Sequence, residues 1–314
     1  MPTLGLTNSL SFTHMTDPQR QFPPVRTMGT IGWIAGNIVV GGMIDINPHA
    51  SLPWWPELLK LQATWIPDGA KSELQWFIAG GAAIVLGLYS FTLPNTPPPA
   101  AGKRITVREI LGLDSIKLLA QPSYFVFALC SFLLCIPLAG YYSNAFNFVS
   151  HVAPNNVMFV MSTGQMSEIV FMLLMPLMFR RLGVKWMLAV GMLAWVVRYG
   201  LFSAAAGDKV FWMTLLGVLL HGICYDFFFV TGFIYVDKKA PREIRGQAQG
   251  FLVLITQGLG LGIGAIAFGK VATYYTVGGV PDWKMIWLVP AAFALAVLIF
   301  FVLGFRDRGV EGKE

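Results

Sequence analysis

Long apolar stretches separated by short polar segments dominate this chain. Eight stretches are long enough to cross a bilayer as helices, which takes about 20 mostly apolar residues. The predicted spans are 27–44, 74–93, 122–150, 155–179, 186–207, 210–236, 246–280 and 285–305. The runs are continuous and do not alternate as the strands of a membrane barrel do. The pattern therefore predicts an all-α polytopic membrane protein.

The first twelve residues, 1–12, are also apolar, but they are too short to cross a membrane. At 1.5 Å per residue they reach ~18 Å, against a ~30 Å hydrocarbon core. They lack the basic region and the cleavage site of a signal peptide. They form either a short interfacial helix or the second half of a span whose first half is missing. Because a charged amine in mid-bilayer is costly, we favour the second interpretation and expect missing upstream chain.

The basic residues are distributed unevenly between the two sides of the predicted membrane domain. Alternate loops at 13–24, 94–121, 180–185, 237–245 and 306–314 hold 15 of the 22 Lys and Arg residues. The opposite loops hold four, namely Lys60, Lys71, Lys209 and Lys284. The positive-inside rule places the first set, and with it the C-terminus, in the cytoplasm.

The composition supports a membrane protein and excludes several other classes. Charged residues make up 12% of the chain and hydrophobic residues 55%, whereas a soluble domain carries about 25% charged residues. Three cysteines are too few for a disulfide scaffold. The net charge of +6 is explained by the topology, so we expect no nucleic-acid partner. Neither HExxH nor another metal-ligand spacing is present, so we expect no metal, no cofactor and no enzymatic activity.

The segment 94–121 is predicted to link two helical bundles. It opens with a stiff proline-rich stretch and continues as a short amphipathic one. We expect 1–93 to be the remainder of an N-terminal bundle, 122–305 to be a C-terminal six-helix bundle and 306–314 to be a cytoplasmic tail. Many transporters consist of two such halves, with the substrate site between them at the bilayer midplane.

One span contains a carboxylate, Asp226, far from its ends. A charge at the centre of a membrane helix costs ~2.5–3.5 kcal/mol on insertion scales, so its presence needs a reason. Asp226 is either a structural ion-pair partner of Arg198 or Lys270, or a proton or substrate site, and we favour the second. His221 and Tyr225 are four residues apart and share a helical face that Asp226 flanks.

Two further sets of residues each share a helical face. Gln165 and Glu168 are three residues apart, and an amide beside an acid can either bind the hydroxyls of a polar solute or tie two helices together. Arg26, Thr30 and Trp33 follow at i, i+4 and i+7. Arg26 either snorkels to the cytoplasmic interface or contacts a ligand, and the Trp33 ring either fills space or stacks on a ring-bearing ligand.

Small residues and cysteines in the spans are predicted to serve packing. Gly258, Gly260, Gly262 and Gly264 follow no strand, so they are not a nucleotide-binding loop, and small residues four apart allow close helix contact. Cys130, Cys135 and Cys224 lie in spans without metal-ligand spacing.

Several segments together resemble the nucleoside:proton symporter family of the major facilitator superfamily. In chain order they are PTLGLTNSLSF, FPPVRTMGTIGW, ILGLD, MSTGQMSE, RRLGVKWML, HGICYDFFFVTG, IRGQAQG and PDWKMIWL. The resemblance implies a twelve-helix fold with both termini in the cytoplasm. It also implies that this chain begins within the fourth helix of that fold, so that about three helices would be missing.

The resemblance further implies a substrate site on the fifth, eighth and tenth helices of the family fold. The matching positions are Arg26, Thr30, Trp33, Gln165, Glu168, His221, Tyr225 and Asp226. Gln165 and Glu168 match the amide and the acid that bind the nucleoside, and Asp226 matches an acidic residue expected to help in proton coupling or substrate binding. We hypothesise that Glu168 or Asp226 carries the proton. On the span 122–150, the amide side chains of the family have no clear counterpart.

The leading hypothesis is a secondary transporter of the cytoplasmic (inner) membrane that takes up nucleosides with protons by alternating access. Its expected partners are the nucleoside, protons and membrane lipid, with no obligate protein partner. One alternative is a proton-coupled carrier of sugars or other small polar solutes with the same fold. Another is a non-transporting fragment, since alternating access needs both halves of the molecule.

Overall fold

The computed structural model describes residues 2–41, 73–96, 113–154 and 157–306, which are mostly helical. The chain divides into two compact units. The first combines Met1–Thr27 with Pro98–Glu314, and the second is Met28–Pro97.

The chain starts with two helices, α1 (Pro2–Thr13) and α2 (Pro18–Gly41). The start of α2 corrects the predicted span 27–44, which begins nine residues too late and leaves Pro23 and Pro24 outside the helix. Both prolines lie inside α2. The helix begins earlier because Asp17 Oδ1 accepts hydrogen bonds from the backbone N–H groups of Gln19 (3.1 Å) and Arg20 (3.3 Å). Pro18 then takes the first helical position, where its missing N–H is no loss.

The second unit contains the remainder of α2 and helix α3 (Leu74–Ser90). The predicted span 74–93 therefore ends three residues too late. The side chains of α3 that can be described are mostly apolar and mostly exposed, as suits a helix that faces lipid. The residues of the predicted loop between these two helices lie outside the described part of the chain, as do those at 97–112 of the predicted linker.

The first unit continues with the short helix α4 (Leu113–Ile116), a 3₁₀ turn and further helices, several of which follow one another directly and together reach membrane length. The elements are α5 (Pro122–Val152), α6 (Val157–Asp208), α7 (Phe211–Leu219), α8 (His221–Cys224), α9 (Thr231–Lys239), α10 (Arg245–Val253), α11 (Leu261–Tyr274) and α12 (Trp283–Gly304). Within the described ranges, five helical stretches are long and apolar enough to cross a membrane. They confirm the all-α membrane architecture.

Helix α6 contains two of the predicted spans, 155–179 and 186–207. Its 52 residues would extend ~78 Å at 1.5 Å per residue, more than twice the hydrocarbon core. Gly183 divides it, with φ 66° and ψ 175°. Glycine is needed there because a side chain at positive φ would clash with the backbone. The six spans predicted after residue 121 are therefore all present.

Two spans are interrupted by π-helical turns, which the apolar pattern did not predict. The first turn, Tyr225–Val230, follows α8, and the second, Leu254–Gly260, joins α10 to α11. A π turn adds a residue to the helical repeat and rotates the side chains that follow it. Such turns occur frequently at functional sites.

The predicted span 246–280 is too long at its C-terminal end. Helix α11 ends at Tyr274, and a two-stranded antiparallel hairpin follows, formed by β1 (Thr276–Val277) and β2 (Val280–Pro281). Gly278 and Gly279 at its tip have positive φ. A Gly-Gly pair between apolar residues favours a tight hairpin turn over a continuing helix.

The glycine-rich stretch packs as predicted at two of its four positions. A Cβ at Gly260 would lie 2.7 Å from Cys135 Cβ, and one at Gly264 would lie 2.7 Å from the carbonyl oxygen of Ile136. Gly258 and Gly262 make no such approach to another helix. Gly260 and Gly264 therefore allow the second π turn and α11 to lie directly against α5.

Candidate functional site

Residues from three distant parts of the chain meet inside the first unit. Arg26 of α2 donates a hydrogen bond from Nη2 to Tyr225 Oη over 3.1 Å. The guanidinium carbon of Arg26 lies 5.2 Å from the centre of the Tyr225 ring. Arg26 therefore contacts an aromatic side chain within the protein and does not extend to the membrane interface.

The carboxylate of Glu168 on α6 lies between two nitrogen-bearing side chains. Its Oε1 is 3.8 Å from Arg26 Nη2, and its Oε2 is 3.6 Å from His221 Nε2. All three side chains are largely shielded, with 20% of the Arg26, 12% of the His221 and 7% of the Glu168 side chain exposed. Both distances are longer than a hydrogen bond, so Arg26 and Glu168 interact through their opposite charges, which are little screened where water is largely excluded.

A close helix crossing brings Glu168 and His221 together. Ser167 Oγ accepts a hydrogen bond from the backbone N–H of Gly222 over 3.1 Å and donates one to the carbonyl oxygen of Gly164 over 2.7 Å. The approach requires glycine, since a Cβ at Gly222 would lie 2.6 Å from the Ser167 carbonyl oxygen. The neighbours of this pair, Glu168 and His221, are thereby fixed beside each other.

Asp226 is fully buried at the start of the first π turn. Neither of its carboxylate oxygens has a hydrogen-bond partner in the part of the chain that the structure describes. The alternative of a structural ion pair with Arg198 or Lys270 is therefore wrong here. The charges that act on Asp226 are those of Glu168 and Arg26, so the two acids and Arg26 form one electrostatic group.

Three aromatic rings are stacked beside this group, and we refer to Tyr141, His221 and Tyr225 as the aromatic ladder. The His221 ring lies 6.0 Å from Tyr225 at 28° and 6.1 Å from Tyr141 at 20°. Sequence reasoning missed Tyr141 on α5. The one available signal was that Tyr141 is an aromatic residue in the span 122–150, where no site residue had been identified. Its position in the sequence does not indicate that its ring contacts His221.

The remaining predicted site residues are not joined to this cluster by any contact described above. Gln165 is half-buried on α6, one turn before Glu168. Thr30 and Trp33 belong to the second unit, where Thr30 is buried and Trp33 is 63% exposed. The three cysteines are buried and unpaired, and within the described ranges no cluster of His, Cys, Asp and Glu could hold a metal ion.

Comparison with known proteins is consistent across the chain. The family model described as "Nucleoside H+ symporter" matches residues 1–309. The chain is 37% identical to YegT of Escherichia coli and 31% identical to the xanthosine permease of the same organism. These alignments cover 99% and 98% of this chain and 71% of each relative.

The fold also matches a solved structure. The crystal structure of the nucleoside transporter NupG superposes with a TM-score of 0.65 at 28% identity. The match covers 98% of this chain and 74% of that one. The architecture is therefore that of the major facilitator superfamily.

Proposed function

Since the chain belongs to the nucleoside H⁺ symporter family, we propose that Arg26, Glu168, His221, Tyr225 and Asp226 form the site where it binds a nucleoside and a proton. Membership makes the protein a proton-coupled nucleoside transporter and not an enzyme. The observation that carries the proposed site is the contact of Arg26 with both Tyr225 and Glu168, because it joins segments almost 200 residues apart around one shielded carboxylate.

The nucleoside has two recognisable chemical parts, and the site offers a group for each. Arg26 and Glu168 can exchange hydrogen bonds with ribose hydroxyls or base edges, and Gln165 would add a polar contact. The Tyr225 ring can stack on a nucleobase, as could His221. Charge-assisted hydrogen bonds supply specificity that stacking alone does not.

We propose different roles for the two acids. Glu168 already lies beside Arg26 and His221, which suits a group that binds substrate. Asp226 has no donor within the described residues, which suits a group that accepts a proton from one side of the membrane and releases it on the other. Alternating access around the site would then couple the two steps.

Uptake into proteoliposomes tests this division. Labelled uridine or adenosine is offered under an imposed pH gradient to the wild type, to Asp226→Asn and to Glu168→Gln. We expect Asp226→Asn to bind nucleoside but to lose pH-driven accumulation, and Glu168→Gln to lose nucleoside affinity. The matched control is Asp208→Asn, an exposed aspartate on α6. Unchanged accumulation by Asp226→Asn would refute its coupling role, and unchanged nucleoside affinity in Glu168→Gln would refute the binding role of that acid.

The sugar-carrier alternative is tested in the same assay. If the site reads only hydroxyls, free ribose competes with labelled uridine as well as unlabelled uridine does. If Tyr225 stacks on the base, nucleosides compete and ribose does not.

We propose the cytoplasmic (inner) membrane as the location, with the C-terminus in the cytoplasm. The basis is the concentration of Lys and Arg in alternate loops, including 180–185 and 237–245.

A further inference from the structure

Arg198 is a buried cation that the proposed binding site does not use. It lies on α6, ten residues before Asp208 at the helix end. At 1.5 Å per residue this is ~15 Å, half of the hydrocarbon core. The side chain is fully buried. A cation at this depth is costly and marks a functional position more often than not.

The polar contacts of Arg198 do not satisfy it. Its Nε donates a hydrogen bond to the carbonyl oxygen of Gly217 over 3.0 Å. Its Nη1 and Nη2 have no hydrogen-bond partner among the residues that the structure describes. An apolar side chain of similar size would make a more stable helix bundle, so stability alone does not explain an arginine here.

The guanidinium instead lies over an aromatic ring. Its carbon is 4.4 Å from the centre of the Tyr141 ring, well within the range of a cation–π contact. Tyr141 stacks on His221, His221 stacks on Tyr225, and Arg26 lies over Tyr225. The aromatic ladder therefore has an arginine at each end, and its middle ring is the one that faces Glu168.

We propose that Arg198 is a positioning residue of the transport site. It holds Tyr141, and through Tyr141 it holds the imidazole of His221 in the orientation that faces Glu168. This inference rests on the proposed role of Glu168. Arg198 itself does not touch the nucleoside; it determines how well the Glu168 carboxylate is presented.

Two properties of arginine fit this role. A planar guanidinium can stack on a ring while its Nε bonds a carbonyl, which the ammonium of lysine cannot do. The fixed positive charge also disfavours a further positive charge on the neighbouring imidazole. The titratable and charged groups around His221 come from α2, α5, α6, α8 and the first π turn: Arg26, Tyr141, Tyr142, Glu168, Arg198, Tyr199, Cys224, Tyr225 and Asp226.

The test compares Arg198→Met, Arg198→Lys and the control Lys270→Met in proteoliposomes containing the full chain. The control removes an exposed cation from another span. We expect Arg198→Met to raise the KM for uridine at least tenfold. We also expect the pH profile of uptake to move to higher pH, because the positive charge of Arg198 no longer opposes protonation of the neighbouring His221 imidazole. Arg198→Lys should keep the pH profile nearer to that of the wild type but still show a raised KM. Lys270→Met should change neither.

A second pair of variants keeps the inference testable if Arg198→Met does not fold. Tyr141→Leu removes the ring that connects Arg198 to His221, and Tyr141→Phe retains it. We expect Tyr141→Leu to raise KM more than Tyr141→Phe does. A purely structural role would lower the amount of folded protein and leave KM and the pH profile unchanged, and that result in either pair would overturn the inference.

The outcome is separable from that of the proposed function. If Glu168→Gln loses nucleoside affinity while the Arg198 and Tyr141 variants keep the wild-type KM and pH profile, only the positioning role fails. If Glu168→Gln also binds and transports like the wild type, the proposed site itself is wrong.

Discussion

The backbone N–H of Gly222 donates a hydrogen bond to Ser167 Oγ over 3.1 Å. This bond links the first half of α6 to α8 at the level of the candidate site. Both partners are adjacent in sequence to a site residue: Glu168 follows Ser167, and His221 precedes Gly222. The crossing therefore determines the distance between an acid and an imidazole that are 53 positions apart in the sequence.

Gly222→Ala tests this crossing. The added Cβ would lie 2.6 Å from the Ser167 carbonyl oxygen, so the helices must separate, at a cost of about 1–3 kcal/mol. We expect a lower Tm and a higher KM for nucleoside, measured by thermal unfolding in detergent and by uptake. Gly200→Ala on α6 is the control, because a Cβ there meets nothing within 4 Å. Equal Tm values for the two variants would contradict the tight crossing.

Arg26→Lys tests the guanidinium contact with Tyr225. Lysine keeps the charge but cannot both stack on the ring and reach Glu168 with a planar fork. We expect the KM for nucleoside to rise about tenfold, which corresponds to ~1.4 kcal/mol. Arg20→Lys, on the exposed surface of the same helix, should transport like the wild type. If Arg26→Lys has the same KM as this control, the positive charge is sufficient for nucleoside binding and the guanidinium contact with Tyr225 is not required.

Asp226→Asn should stabilise the protein while it abolishes coupling. The buried carboxylate lacks a hydrogen-bond partner in the described ranges, and a neutral amide of the same shape costs less to bury. At a pH where Asp226 is ionised, we expect a gain of about 1–3 kcal/mol, observed as a higher Tm. Asp208→Asn, which is exposed, should leave the Tm unchanged. A drop in the Tm of Asp226→Asn would mean that the carboxylate has a stabilising partner after all.

Single cysteines test the topology. The three native cysteines are buried, so a membrane-impermeant maleimide should label the wild type only weakly. Val277 in the hairpin is 80% exposed, and Arg181 lies in the predicted cytoplasmic turn. We expect labelling of Val277→Cys from outside intact cells, and labelling of Arg181→Cys only after the membrane is opened. The reverse pattern would invert the orientation.

The sequence predicted the number and order of the described spans because each is a long, predominantly apolar run. Their ends were less accurate, since local chemistry determines them. Asp17 and Pro18 start α2 nine residues early, and Gly278 and Gly279 convert the end of a predicted span into a hairpin. Each of these two signals is only two residues long. The predicted span ends followed the length of the apolar stretch and did not take them into account.

The candidate site could be predicted as a set of residues but not as a geometry. Intramembrane charge pointed to Glu168 and Asp226, helical spacing pointed to Arg26, His221 and Tyr225, and the family resemblance implied the same residues. Neither could show that Arg26 would meet Tyr225, because that contact depends on how distant helices pack. The π turn at Tyr225–Val230 likewise depends on a single extra residue in a helical repeat.

With both acids ionised, the charges of the site and of the aromatic ladder balance. Two arginines, Arg26 and Arg198, are set against two carboxylates, Glu168 and Asp226. When a proton and an uncharged nucleoside bind, this group gains one positive charge, and it returns to balance when the proton leaves. The loaded transporter should therefore respond to the membrane voltage, at ~2.3 kcal/mol per 100 mV for a charge that crosses fully. The empty transporter should reset independently of that voltage, so a cell with a negative interior would draw in its nucleosides electrically as well as chemically.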